Sequence, residues 1–133
     1  MPTITVMDNE NASLWFHPES GIVHHKFKKY MWGDAFKEVL DKGLEQMKEH
    51  GATKWLSDDR ANSALRPEDS AWANEDWTPR VLAAGWKYWA IVLPQNVIGR
   101  MNMQQFIDQQ SQAGVTVRVF SDPNEALSWL DSV

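Results

Sequence analysis

Apolar stretches at residues 3–6, 12–16 and 22–28 are short and are separated by the turn-rich clusters Asp8-Asn9-Glu10-Asn11 and Pro18-Glu19-Ser20-Gly21. This pattern predicts three strands in an antiparallel meander. After Gly33 the period becomes helical: Phe36, Val39, Leu40, Leu44 and Met47 share one face, the opposite face is charged, and Gly51 supplies the stop. A strand at residues 53–57 follows at once.

Pro67 suits a first helical position, with Glu68 and Asp69 beside the positive end of the dipole. Pro79 lacks the amide proton that a helix interior requires. The expectation is therefore a helix from 67 to about 77 and a second short one at 79–84, capped by Thr78 and closed by Gly85. Residues 88–93 read as a continuous apolar strand, 102–113 as a helix ending at Gly114, and 115–120 as a β-branched strand. Asp122-Pro123-Asn124-Glu125 opens a last helix that carries Ala126, Leu127 and Leu130.

From residue 22 onward the order is strand then helix, four times, with short connections. This predicts an α/β fold: a single domain over residues 1–133, with a mixed, mainly parallel sheet that begins in the antiparallel meander. Because crossovers are right-handed, units stepping the same way put their helices on one face. The other face then needs separate cover, from the N-terminal strands, a displaced helix or a partner.

Composition narrows the role. With 133 residues and no cysteine, the chain needs neither a disulfide framework nor a thiolate metal site. Met1-Pro-Thr-Ile-Thr-Val-Met-Asp carries no basic leader or long apolar run, so a cytoplasmic protein without stable membrane insertion is expected. A net charge of -5 argues against nucleic acid; only Lys26, Lys28 and Lys29, beside His24 and His25, form a small basic patch. Eight tryptophans are more than such a chain usually carries, and Trp is favoured at interfaces as well as in cores.

The strand end Lys54-Trp-Leu-Ser-Asp-Asp-Arg60, the segment from Trp72 to Trp77 with Thr78-Pro79-Arg80, Ala84-Gly85-Trp86, and Ser121-Asp122-Pro123-Asn124-Glu125-Ala126 give the chain its family likeness. It resembles the STAS domain superfamily, in particular the SpoIIAA-like bacterial branch also described as STAS/SEC14-like. The resemblance covers nearly the whole chain. It implies a non-catalytic domain that binds a protein partner or a small ligand; the chain is expected to be a regulatory module that works without a cofactor, as a monomer or a symmetric homodimer. Related anti-sigma factor antagonists are switched at a serine in an Asp-Ser-Ser-Gly type of sequence, to which Asp69-Ser70-Ala71-Trp72 is the nearest match, so Ser70 is the candidate phosphosite. The SEC14 side of the resemblance implies the alternative, a carrier or sensor of a small apolar, lipid-like ligand.

Asp58, Asp59 and Arg60 stand at a strand end, where α/β proteins place binding groups. Adjacent strand residues point to opposite faces, so the two acids cannot easily grip one metal. The cluster reads as one that orders its loop, with one acid capping the turn and Arg60 paired to the other or to Glu75 or Asp76. His24 and His25 likewise alternate, and no histidine spacing chelates a metal; they read as strand fillers. No serine sits in an elbow motif, so no catalytic residue is assigned. Asn96 and Arg100 lie where they would complete a polar pocket with the 57–62 loop. On a regular helix Trp72 and Trp77 stand about 140° apart. Ala73, Trp77, Val81 and Ala84 share a face, which assigns Trp77 to the core and leaves Trp72 to meet a partner or ligand.

Overall fold

Residues 2–95 and 97–133 are described in the computed structural model, apart from the side chains of residues 97–100 and 102. The turn-rich clusters fold as expected: β1 (Ile4–Asp8), β2 (Ala12–His17) and β3 (Ile22–Phe27) pair antiparallel. β4 (Lys54–Asp58), β5 (Tyr88–Val92) and β6 (Thr116–Phe120) then add in parallel, giving one six-stranded sheet in strict sequence order.

The helices are α1 (Gly33–His50), α2 (Pro67–Trp72), α3 (Thr78–Ala83), α4 (Val97–Gln112) and α5 (Pro123–Ser132). Every parallel step has the same direction, so right-handed crossovers lay α1, α2 with α3, and α4 on one face. There they bury Val23, Trp55, Trp89 and Ile91 against Val39, Leu44, Trp77 and Ile107. α5, which follows β6, crosses to the opposite face. It packs Ala126 and Leu130 on Leu56, Ala90, Val92 and Phe120, which is the displaced-helix solution to the uncovered face. α5 lies over β4, β5 and β6, and half-buried Trp15, His17 and Lys26 occupy the same face of β2 and β3.

Two helix ends behave as composition dictates. Gly51 adopts φ 62° at the end of α1, a conformation costly for other residues, and the Asp122 carboxylate accepts the Asn124 N–H at the start of α5. Gly43 faces the Trp55 indole so closely that a methyl group there would collide with the ring.

Two expectations are corrected. α4 begins at Val97, so residues 97–100 form its first turn and are not a loop. The break expected at Pro79 does not occur: α2 runs through a π-helical turn (Ala73–Trp77) directly into α3, and Thr78 is helical with no capping role. Thr78 N–H donates to the Ala73 carbonyl five residues back. The wider turn accommodates Pro79, whose ring would collide with a carbonyl of a regular α-helix and which has no N–H to give. It also has a packing consequence. Asp69, Ala73, Trp77 and Val81 are all buried at intervals of four, which would drift by about 120° on a regular helix. A turn with more residues per revolution holds them in line.

No helix among the described residues is long and apolar enough to cross a membrane.

Candidate functional site

Alternation along β4 sends its terminal acids in opposite directions, as the pleat requires. Asp58 turns to the α5 side of the sheet and takes a two-point contact from Arg60, with Nε to Oδ1 at 2.9 Å and Nη2 to Oδ2 at 2.7 Å. Asp58 is buried while Arg60 stays partly exposed, at the rim of an open depression of about 370 Å³ that Lys26 and Lys28 also border. Glu75 and Asp76 are not the partners of Arg60; Asp76 instead pairs with Arg80.

Asp59 turns to the other side, beneath α1 to α4. The sheet register sets His25 beside Ser57 there, and His25 Nε2–H donates to Asp59 Oδ1 at 2.8 Å. Trp55 Nε1–H donates to His25 Nδ1 at 2.9 Å, so Nδ1 must be the unprotonated nitrogen and Nε2 carries the proton. Trp89 Nε1–H donates to Ser57 Oγ at 2.9 Å. His25 has no nitrogen left to take a proton from Ser57, which removes Ser57, His25 and Asp59 from triad chemistry. Burial pushes the Asp59 carboxyl above the usual carboxylate range, and the His25 hydrogen bond opposes that rise.

His25, Ser57, Asp59 and Asn62 form the polar side of an interior cavity of about 30 Å³, enough for roughly one water. Its other walls are aromatic, from Phe36, Trp77, Trp86, Trp89 and Phe106. Asn62 Oδ1 accepts the Met31 N–H at 3.3 Å, which fixes the amide orientation. Asn62 Nδ2 and Trp86 Nε1 are buried without a hydrogen-bond partner. Leu65, Met103 and Phe106 border this cavity and also a second, polar pocket of about 130 Å³ that reaches Ser70, Asn74, Gln105 and Gln109.

Ser70 thus lies half-buried at the second pocket, on the turn after buried Asp69. Trp77 is buried in the core as expected, and Trp72 is the less buried of the two. It is half-buried, packs edge-on against Phe36 at 6.3 Å, and has Lys37 Nζ and Arg80 over its ring at 5.5 and 5.9 Å. The 140° separation from Trp77 holds for a regular helix; five residues span little more than one revolution of a π turn, so both indoles approach the α1 side. Asn96 lies outside the described residues, as does the side chain of Arg100, which belongs to the first turn of α4. Nothing places these two beside Asp58, Asp59 and Arg60.

The most exposed tryptophan among the described residues is Trp32, at 52%, stacked on 44%-exposed Tyr30 with ring centroids 5.5 Å apart. Trp32 offers α1 no side-chain cap. Asp69 takes that role from α2: both carboxylate oxygens accept the Gly33 N–H at 3.2 Å while Arg66 Nε holds the same carboxylate at 3.0 Å. Burial would raise the Asp69 pKa, but the Arg66 and Gly33 hydrogen bonds more than offset it and hold the carboxyl below its ordinary value. The aromatic pair is therefore anchored to a fixed helix end. The signal for it was local, two large aromatics on either side of Met31 in a connection too short to bury them.

On the α5 side of the sheet, Thr3 Oγ1, His17 and His24 form a hydrogen-bonded chain, with His17 Nε2 3.0 Å from His24 Nδ1. Burial, with repulsion from His17 and His25, lowers the His24 pKa to about 3. These histidines and the acids do not converge: among the described residues, no group of three or more His, Asp or Glu could hold a metal ion. A scan against protein-family models and searches of curated proteins and of solved structures find no match to the chain.

Proposed function

We propose that this chain is a non-catalytic, regulatory protein-binding module of the bacterial cytoplasm, in line with the STAS-like resemblance of its sequence. The observation that carries the reading is the stacked Tyr30–Trp32 pair, exposed at the start of α1 and held there by the Asp69 contact to Gly33. Rigid, exposed Trp and Tyr side chains are the residues that most often dominate binding energy at protein interfaces. Four strand-helix units after a meander support the same reading at the level of fold. The non-catalytic part is supported by the strand end, where Asp58 is taken by Arg60, and His25 by both Trp55 and Asp59.

Charge favours a distinct partner over a second copy. Lys29 borders the same depression as the aromatic pair, while Arg66 nearby has its charge met by Asp69 and Glu68. Two copies meeting at this patch would bring one Lys29 toward the other, whereas a protein offering an apolar side chain beside a carboxylate would complement it. A lipid-like cargo is the weaker alternative, because the interior cavity of about 30 Å³ is too small for an acyl chain.

Wild-type and Trp32→Ala baits, compared by quantitative affinity capture and then with the purified candidate by calorimetry, test the reading. The expected result is a protein bound by wild type and weakened at least about tenfold by the substitution, at unchanged melting temperature. Identical retention by both baits removes the reading. A concentration-dependent dimer in light scattering that Trp32→Ala abolishes replaces the distinct partner with self-association.

A further inference from the structure

We infer that the interior cavity, joined to the pocket beyond Leu65, Met103 and Phe106, is a binding site for a small neutral molecule of about the size of one aromatic ring, carrying a single hydrogen-bond acceptor oxygen. Buried indole N–H groups need acceptors. Trp55, Trp77 and Trp89 each have one, on His25, the Leu40 carbonyl and Ser57. Trp86 has none, and neither has the amide nitrogen of Asn62; their residues are 4% and 1% exposed, and both line the cavity. Two unpaired donors in the lining of one space call for an acceptor from outside the chain.

The remaining walls decide the rest of the ligand. Asp59 sits in the polar wall, so a carboxylate or phosphate would bring a second negative charge into a site that already disfavours the first. A cation fits no better. Trp77 contacts Trp86, and Trp86 contacts Trp89, with centroids 5.6 and 5.4 Å apart, so these rings pack on one another and do not stand apart as a cage. An apolar ring among aromatic walls, with its oxygen toward Asn62 and Trp86, suits both chemistries.

Entry requires the partition of Leu65, Met103 and Phe106 to yield, since these side chains border both the cavity and the pocket of about 130 Å³ outside it. Unbranched Met103 is suited to that movement. In volume the joined space, about 30 and 130 Å³, is on the scale of a cavity that accepts benzene, about 150 Å³, with aromatic walls at its inner end and polar ones at Ser70, Asn74, Gln105 and Gln109. The π turn contributes Ala73 and Trp77 to the same wall, in keeping with the frequent use of such turns at functional sites.

Acetophenone, ethylbenzene and benzoate share a shape and differ in the acceptor and the charge. Each would be titrated into the full chain while the Trp86 indole and Asn62 amide resonances are followed by two-dimensional NMR. Acetophenone is expected to shift both saturably, ethylbenzene to bind at least about tenfold more weakly, and benzoate not to shift them. Trp86→Phe keeps a ring and removes the donor, so it should reduce the preference for acetophenone over ethylbenzene; Met103→Ala, which opens the partition, should tighten acetophenone. Equal affinity for acetophenone and ethylbenzene overturns the inference. So does a bound water at Trp86 that acetophenone does not displace, or shifts confined to exposed Trp32. None of these outcomes bears on the Trp32→Ala capture experiment, so the two readings fail separately.

Discussion

The indole N–H of Trp55 donates to Nδ1 of His25 at 2.9 Å, and this bond decides which imidazole nitrogen holds the proton that reaches Asp59. Trp55→Phe removes the donor and leaves a buried acceptor unpaired, at a cost of about 1–3 kcal/mol beyond the lost ring volume. Long-range ¹H–¹⁵N spectra of wild type should show the Nε2–H tautomer alone. In the variant the tautomers should mix, and urea unfolding should report the loss. A single tautomer in both proteins would show that Asp59 sets it instead.

Asp69 joins two segments far apart in sequence, because it caps α1 from α2. Asp69→Ala should cost about 2 kcal/mol in chemical denaturation, the size of a strong cap contribution. Asp69→Asn keeps an acceptor for Gly33 and should cost less. Equal losses in the two variants would assign the effect to the Arg66 ion pair rather than to the cap. Amide exchange at the start of α1 should accelerate in the alanine variant first.

The buried histidine and the buried acid give opposite pH dependences. His24 titrates near 3 in the folded chain against about 6.5 when unfolded, so the unfolded state takes up the proton first. Its contribution to stability therefore falls as pH drops from about 6.5 toward 3, by at most about 1.4 kcal/mol per unit. His24→Gln should flatten that acid limb. Asp59 has a raised value when folded, so the unfolded chain releases its proton first, and stability falls as pH rises through that window. Asp59→Asn keeps an acceptor for His25 and should gain on wild type as pH climbs above about 4. A constant offset between the two across pH 4–8 would contradict the raised value.

Gly43→Ala should destabilise although it improves helix propensity by about 1 kcal/mol. The new methyl would meet the Trp55 ring, which cannot retreat without loosening its bond to His25. Overpacking of this kind costs about 1–3 kcal/mol, so a net loss near 1 kcal/mol is expected in thermal and urea unfolding. A gain would mean that the indole has room to shift.

Much of the fold was legible because its signals are local. The turn clusters at 8–11 and 18–21, the apolar face of α1 with Gly51 behind it, and the Asp122-Pro123 start of α5 each announce an element without reference to the rest of the chain. The π turn was not legible. Proline inside an apolar helical run is a reason to expect a break, and only packing shows that a widened turn keeps Ala73, Trp77 and Val81 in line. The angle between Trp72 and Trp77 departs from about 140° for the same cause, since that figure holds for a regular helix. Asp69 reads as a solvent-facing first-turn acid until α1 is placed beside it. His25, Ser57 and Asp59 left a trace that went unused: they occupy the strand positions that alternate in phase with buried Val23, Phe27 and Trp55, where polar residues have to find one another.

Among the described residues α5 is the one long helix on its side of the sheet, and it follows in sequence every strand that it covers, which fixes an order of events during synthesis. The strands and the helices of the opposite layer can assemble as the chain emerges, while Leu56, Ala90, Val92 and Phe120 wait in the open for residues that have not yet been made. That interval is when a growing chain is most prone to adhere to its neighbours. Translation speed through α5, and the holdase chaperones present at that moment, would then govern the yield of folded protein more strongly than they govern its stability once made.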